Sequence, residues 1–263
     1  FTFVVQKFDM KKTFNPDFIP VKNEILQCIN NFDSTGENLS LGQRNTIKLF
    51  HLESFILNIK SFKKPNFINQ IAYGYFRKSK AQRSFEYATT LSKLQIGTPT
   101  PIAYFEKRSI LGLTTSFYAC EHLENVFEFR EVIENENFKN REELIRQFTR
   151  FTVSMQNEGV EFLDHSPGNT LIRANENGSY SFYLVDLNRM KFHEKLDFNT
   201  RMKNLSKITH KKEMVVTMSN EYAKITGESE NLIFETLWKL TEMFQYKYYR
   251  KKRLKKKFLF WKK

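Results

Sequence analysis

Apolar and polar positions alternate through residues 46–60, TIKLFHLESFILNIK, in two β-rich runs around a polar turn at about His51 to Ser54. That pattern predicts a pair of strands. The stretch before it, FDSTGENLSLGQRNT, is rich in turn formers and holds Gly36 and Gly42. The period then changes. Ala81, Phe85, Ala88 and Leu91 recur at helical spacing within residues 78–95, and Thr98 to Pro101 stop the helix. Strands are expected at about 102–106 and 113–120. Farther on, Leu144, Phe148, Phe151 and Met155 step by 4, 3 and 4, an amphipathic helix over 140–156 that ends near Gly159. A hairpin follows, Thr170 to Arg173 and Ser179 to Val185 around the turn Asn175 to Gly178. The region of about 196–246 reads as helical. A strand-rich part followed by a helix-rich part predicts an α+β chain of two lobes with a cleft between them.

Composition narrows the class. Of 263 residues, 40% are apolar and 27% charged, which is globular and not disordered. No window nears eighteen consecutive apolar residues, so no transmembrane helix is expected. Cys28 and Cys120 are the only cysteines, which fits a reducing compartment and excludes a disulfide scaffold or a cysteine zinc site. The chain starts FTFVVQ, without methionine or a charged leader region, and reads as trimmed.

The net charge of +13 is unevenly spread. Residues 247–263 hold ten Lys/Arg and no acid, leaving 32 cations against 29 acids elsewhere. The high charge therefore belongs to a tail on a near-neutral body, and a nucleic-acid partner is not expected. Phe258, Phe260 and Trp261 beside this polybasic run suit an anionic membrane surface. The plain alternative is a solvated tail.

Four features stand in one order. Lys60 ends the run ILNIK, Glu86 sits mid-helix, Asp164 and Asn169 share the loop FLDHSPGN after a helix, and Asp186 closes a strand in LVDLNR. This is the order of parts in kinase-type phosphoryl transfer. A strand lysine can reach the α and β phosphates, with a helical glutamate pairing to hold it. Asp186 and the Asn169 amide oxygen offer hard donors for Mg²⁺, which keeps several waters and needs few protein ligands. Asp164 is placed to take a proton from an acceptor hydroxyl. Singly, each has a plainer reading: solvated lysines at Lys60 and Lys63, a surface Glu86, an Asx-capped turn at 164–169. Only Asp186, after the apolar FYLV, resists dismissal, because an acid buried alone is costly. Their conjunction carries the kinase reading.

The sequence resembles the protein-kinase-like superfamily, and within it the lipopolysaccharide core kinases that act on Kdo or heptose. The resemblance runs over about 42–192, through GQRNTIKLF, NIKSFKKPN, FRKSKAQRSFEYATTL, TPTPIAYFE, GVEFLDHSPGNTLI and VDLNRMKF. It implies a bilobal fold: a β-rich nucleotide lobe at 1–120, a helical catalytic lobe at 121–246 and the basic tail at 247–263. It implies ATP and Mg²⁺, with Asp164 as base, Asn169 and Asp186 on the metal, and Lys60 paired with Glu86 on the phosphates. Gly42 would be the remnant of a phosphate loop, and backbone groups at Glu121 and Leu123 would meet adenine. The acceptor would be a lipopolysaccharide inner-core sugar, Kdo preferred, reached from the cytoplasmic face of the inner membrane.

The chain departs from the kinase pattern in four places. Phe162 stands where kinases carry histidine, and Asp186-Leu-Asn188 replaces D-F-G. The glycine-rich loop is reduced to Gly42, and nothing like A-P-E follows Asp186. A reduced activation segment argues against a protein substrate. His165 is offered as packing more than as a base, and Arg189 as an ion-pair partner or a phosphate contact. Two other functions fit the same residues: a small-molecule kinase of the aminoglycoside or choline type, and a pseudokinase scaffold at the membrane.

Overall fold

The structure is a computed structural model that describes residues 10–41, 45–66, 69–70, 72–73 and 77–258. The chain divides into two compact units. One runs up to Glu124 and includes Asp186–Asn188; the other is Asn125–Val185 with Arg189 onward.

The first unit is built on six antiparallel strands: β1 (Lys11–Phe14), β2 (Glu37–Leu41), β3 (Asn45–His51), β4 (Ile56–Phe62), β5 (Pro101–Ser109) and β6 (Gly112–Glu121). Their order across the sheet is β1-β5-β6-β4-β3-β2. The predicted pair at 46–60 is β3 and β4, turned through Leu52 N–H on Phe55 O at 3.0 Å. Leu57, Ile59, Ala103, Phe105, Phe117 and Ala119 share one face and pack with Ile25, Ile29 and Phe32 of helix α1 (Lys22–Asn30) or just past its end. The opposite face carries the row Lys60, Tyr118 and Tyr104, which are cross-strand partners.

Helix α2 (Lys80–Lys93) packs on β5 and β6. Ser79 caps it by accepting from Gln82 N–H at 3.0 Å. Its buried positions Ala81, Phe85, Ala88 and Leu91 are those of the apolar period, joined by Ser84. Phe85 meets Tyr104 at 5.5 Å, so α2 covers the sheet face that bears Lys60.

The second unit holds β7 (Phe127–Glu128), α3 (Phe129–Glu134), α4 (Arg141–Asn157), β8 (Val160–Phe162), β9 (Thr170–Ala174), β10 (Tyr180–Leu184), β11 (Met190–Phe192), α5 (Phe198–Leu205), α6 (Lys212–Thr226) and α7 (Glu230–Phe258). Leu144, Phe148 and Val153 of α4 form one core with Ile172, Phe182, Met214, Met218 and Leu237. A buried Glu221 on α6 ties to α4 through Arg146 at 3.1 Å and Arg150 at 2.5 Å. The pairing balances both charges, as a carboxylate only 6% exposed requires.

Strands β8 and β11 form a two-stranded ribbon, with Phe162 opposite Met190 and Val160 opposite Phe192. Gly159 starts it at φ 72°, and a Cβ there would fall 1.9 Å from His193 O, so no other residue fits this turn. After Asp186 the chain forms only β11 before α5 begins at Phe198.

The basic stretch departs from the expectation of a separate tail. From Lys247 it continues α7 without a break to Phe258. Phe260 and Trp261 lie outside the described residues, as does Gly42. No helix among the described residues is long and apolar enough to cross a membrane.

Candidate active site

In the first unit, Lys60 lies on β4 between β3 and β6, a position that fixes its backbone from both sides. Its ammonium sits 5.4 Å over the Phe62 ring and 2.8 Å from Asp186 Oδ1. Asn188 donates its amide to the same oxygen at 2.6 Å. Asp186 takes φ 56°, a left-handed conformation uncommon outside glycine, though aspartate tolerates it better than most. Such conformations gather where a side chain must be aimed. The Asp186 side chain is 41% exposed, so the Lys60 ammonium and the Asn188 amide hold a carboxylate that solvent still reaches.

The expected pairing of Lys60 with Glu86 is not formed. Glu86 accepts instead from Lys78 at 2.7 Å and from Gln82 at 2.9 Å. Gln82 lies one turn back on α2, and Lys78 lies just before the cap, so local geometry supplies both partners. The Glu86 hydrogen bond pushes the Lys78 ammonium above its ordinary value. The carboxylate on Lys60 is that of Asp186.

Beside Lys60 on β6, Tyr118 and Cys120 are buried. Burial pushes the Cys120 thiol up to about 12, which leaves it inert as a nucleophile. At the end of β6, Glu121 N–H donates to Thr100 O at 3.0 Å and His122 N–H to Ile56 O at 2.8 Å. An adenine contact from Glu121 therefore falls to its carbonyl. Leu123 follows, half-buried.

In the second unit, the ribbon delivers the loop Leu163 to Asn169. Three consecutive carbonyls of this region accept from side chains: Phe162 O from Asn204 at 2.7 Å, Leu163 O from Lys207 at 2.6 Å, and Asp164 O from Asn169 at 2.8 Å. The loop cannot drift without breaking charged or amide bonds. Asn169 spends its amide nitrogen on Asp164, which turns its Oδ1 the other way as an acceptor. The carboxylate of Asp164 meets Arg189 Nη1 at 2.9 Å. Gly168 fits because a Cβ would come 2.3 Å from Arg130 Nη2. Asn169 O accepts from Val185, the residue before Asp186, at 3.0 Å.

His165 is fully buried, with Nδ1 3.0 Å from Asn204 Oδ1 and its ring 5.8 Å from that of Phe162. Burial lowers its pKa to about 4. A neutral, enclosed imidazole packs the loop and reaches no acceptor. Burial also lowers the Lys207 pKa, partly offset by the nearby Asp164 charge. Sequence reasoning missed Asn204 and Lys207, which reach back 42 and 44 residues to the loop.

Taken each in its own unit, the Asp186 carboxylate and the Asn169 amide are hard oxygen donors of the kind Mg²⁺ takes. No group of three or more His, Cys, Asp or Glu able to hold a metal occurs among the described residues.

Comparison with known proteins gives the fold and the family. A solved structure described as WaaP in complex with acyl carrier protein superposes with a TM-score of 0.63, covering 90% of this chain and 97% of that one, at 14% identity. That likeness gives the fold: a β-rich first part and a helical second part, as in WaaP. Among curated proteins none matches. The sequence model of the lipopolysaccharide kinase (Kdo/WaaP) family matches residues 66–229, well over half of the chain and inclusive of Glu86, Asp164, Asn169 and Asp186. By that match, the chain belongs to the lipopolysaccharide kinase (Kdo/WaaP) family, ATP-using kinases that act on lipopolysaccharide sugar.

Proposed function

We propose that this kinase transfers the γ-phosphoryl of ATP to a hydroxyl of the lipopolysaccharide inner core, with Kdo the preferred acceptor. The observation that carries the reading is the clamped loop, which fixes Asp164 and Asn169 on one short segment. Asp164 accepts the proton of the acceptor hydroxyl as the phosphoryl moves, and the three held carbonyls keep its backbone still. Lys60 binds the phosphates. Asp186 in the first unit and Asn169 in the second each present an oxygen of the kind that would hold Mg²⁺, which would supply charge neutralisation on the phosphate oxygens when bound. The Glu121 carbonyl and the Leu123 backbone meet adenine. Glu86 braces α2 through Lys78 and has no direct hold on the phosphate lysine.

The enzyme works as a peripheral protein on the inner face of the inner membrane. Support comes from α7, whose last turns carry the polybasic run with exposed Tyr246, Tyr248, Tyr249 and Leu254. Retention of acyl carrier protein by α7 in place of vesicles would move that assignment to a protein partner.

The deciding experiment is mass spectrometry of inner-core acceptors incubated with purified enzyme and MgATP. A gain of one phosphate on a Kdo-bearing acceptor is expected. A gain only on heptose would relocate the acceptor, and ATP binding without transfer to any acceptor would leave a scaffold.

A further inference from the structure

The Asp164 carboxylate is not free in the structure. Its Oδ1 lies 2.9 Å from Arg189 Nη1. With the guanidinium donating to it, that carboxylate oxygen is occupied and is not open to an acceptor hydroxyl. Arginine keeps its charge at any working pH, so the pair opens only if the guanidinium moves. The two side chains are 58% and 36% exposed, and exposed ion pairs are held weakly. Moving Arg189 therefore costs little, provided that a better anion is offered.

The neighbouring charges do not offer one. Glu161 is 13% exposed and already engaged by His193 at 2.9 Å and Lys191 at 3.6 Å. Lys207 is turned onto Leu163 O, and Lys203 adds a further positive charge nearby. Arg189 and Lys207 thus act near Asp164, Lys191 is held on Glu161, and Lys203 adds its charge beside Lys207. A hydroxyl presented here on an anionic sugar would be drawn in; a neutral sugar would not.

We propose that Arg189 is the receptor for an anionic group carried by the acceptor beside its reacting hydroxyl, and that its transfer from Asp164 to that anion frees the base. This rests on the reading of Asp164 as the base. The ligand chemistry is a sugar carboxylate or a phosphate monoester, both of which match the guanidinium fork. Water carries no such anion, so Arg189 stays on Asp164 and ATP hydrolysis without acceptor is restrained.

The test compares wild type with Arg189→Gln on a delipidated inner-core fragment in three forms: intact, carboxyl-esterified and dephosphorylated. Wild type should lose about tenfold or more in kcat/KM on the form that lacks the recognised anion, the scale of a hydrogen bond to a charged group. Which form suffers identifies the anion. Arg189→Gln should use all three about equally, with thermal melting and MgATP affinity unchanged. Retention of the wild-type preference by the variant would overturn the proposal, and so would a raised KM for ATP with that preference intact.

A second arm needs no sugar. Millimolar acetate or inorganic phosphate should stimulate ATP hydrolysis several-fold in wild type and leave Arg189→Gln, already unmasked, unresponsive. Equal responses would overturn the proposal. If no inner-core form is phosphorylated, the acceptor assignment alone fails, and this arm still decides the role of Arg189.

Discussion

Lys60 and Asp186 stand 126 residues apart in the chain and 2.8 Å apart in space. The ammonium and the carboxylate neutralise one another. On the proposed function, a nucleotide with its Mg²⁺ would supply the opposite charge to each, and both ligands would replace an interaction already made.

That relationship sets a double-mutant cycle. Lys60→Met should lower turnover by ~10²–10³-fold, the scale of a lost electrostatic stabiliser. Combined with Asp186→Ala the losses should be strongly non-additive, because the residues touch. Lys60→Met with Glu86→Gln should be additive, since Glu86 is bonded to Lys78 and Gln82. Steady-state kinetics on wild type, the three single variants and both doubles checks the ranking; additivity with Asp186 and coupling to Glu86 would reverse it.

Asp186→Ala should abolish Mg²⁺-dependent nucleotide binding, whereas Asn169→Ala should weaken it less, since a neutral ligand is lost. The Asn169 change also releases the Asp164 carbonyl, so its effect on turnover should exceed its effect on affinity. Calorimetric titration of MgATP separates the two quantities.

Asp164→Asn should keep MgATP affinity while transfer falls ~10²–10⁴-fold, the range for a general base. Near-normal turnover would place the base elsewhere.

His165 predicts an acid limb in stability. Its pKa is about 4 in the fold, below the unfolded value, so the unfolded chain binds the extra proton first as pH falls. The contribution is complete above about pH 6.5. It is lost progressively as pH falls from there to about 4, roughly 3 kcal/mol in all. His165→Gln retains an amide for Asn204 and should flatten this limb in urea melts taken across pH 4–7.

Ending the chain after Tyr246 should preserve folding, because the hydrophobics packed on the second core stop at Leu240, and Tyr248, Tyr249 and Leu254 are exposed. Full-length enzyme should bind anionic vesicles, bind neutral ones weakly and release in salt as screening shortens. The truncated enzyme should lose turnover on a membrane-embedded acceptor and keep it on a delipidated one. Equal loss on both would tie the end of α7 to the chemistry.

The elements legible in the sequence are those whose period is local. The β3–β4 pair, α2, α4 and the β9–β10 hairpin announce themselves through alternation or helical spacing within fifteen or so residues. Helix α1 does not: KNEILQCIN buries only Ile25 and Ile29 and has no side-chain cap. In the candidate site, Asp164, Asn169 and Asp186 were readable because a short loop and a strand end hold them. Their supports were not. Asn204 and Lys207 look like ordinary residues of NTRMKNLSK, and only the return of α5 to the loop gives them work. The partner of Lys60 was misassigned for a related reason. Spacing brings a carboxylate onto α2, but helix rotation gives it to Lys78.

The ribbon of β8 and β11 acts as a gauge. Its ladder ends at Phe162 opposite Met190, with Leu163 N–H on Arg189 O at 3.0 Å as the next rung. The backbone of Arg189 is thus held opposite Leu163, within reach of Asp164, by pairing and not by the attraction of the two side chains. Strand residues are about 3.3 Å apart and alternate faces. With the ladder held, one residue inserted between Arg189 and Met190 would therefore carry the guanidinium off the carboxylate and turn it to the other side. Lengthening the Asn175–Gly178 turn, at the far end of its own hairpin, leaves the gauge unread. Within one short excursion of the chain, length is a catalytic parameter on one side and free variation on the other.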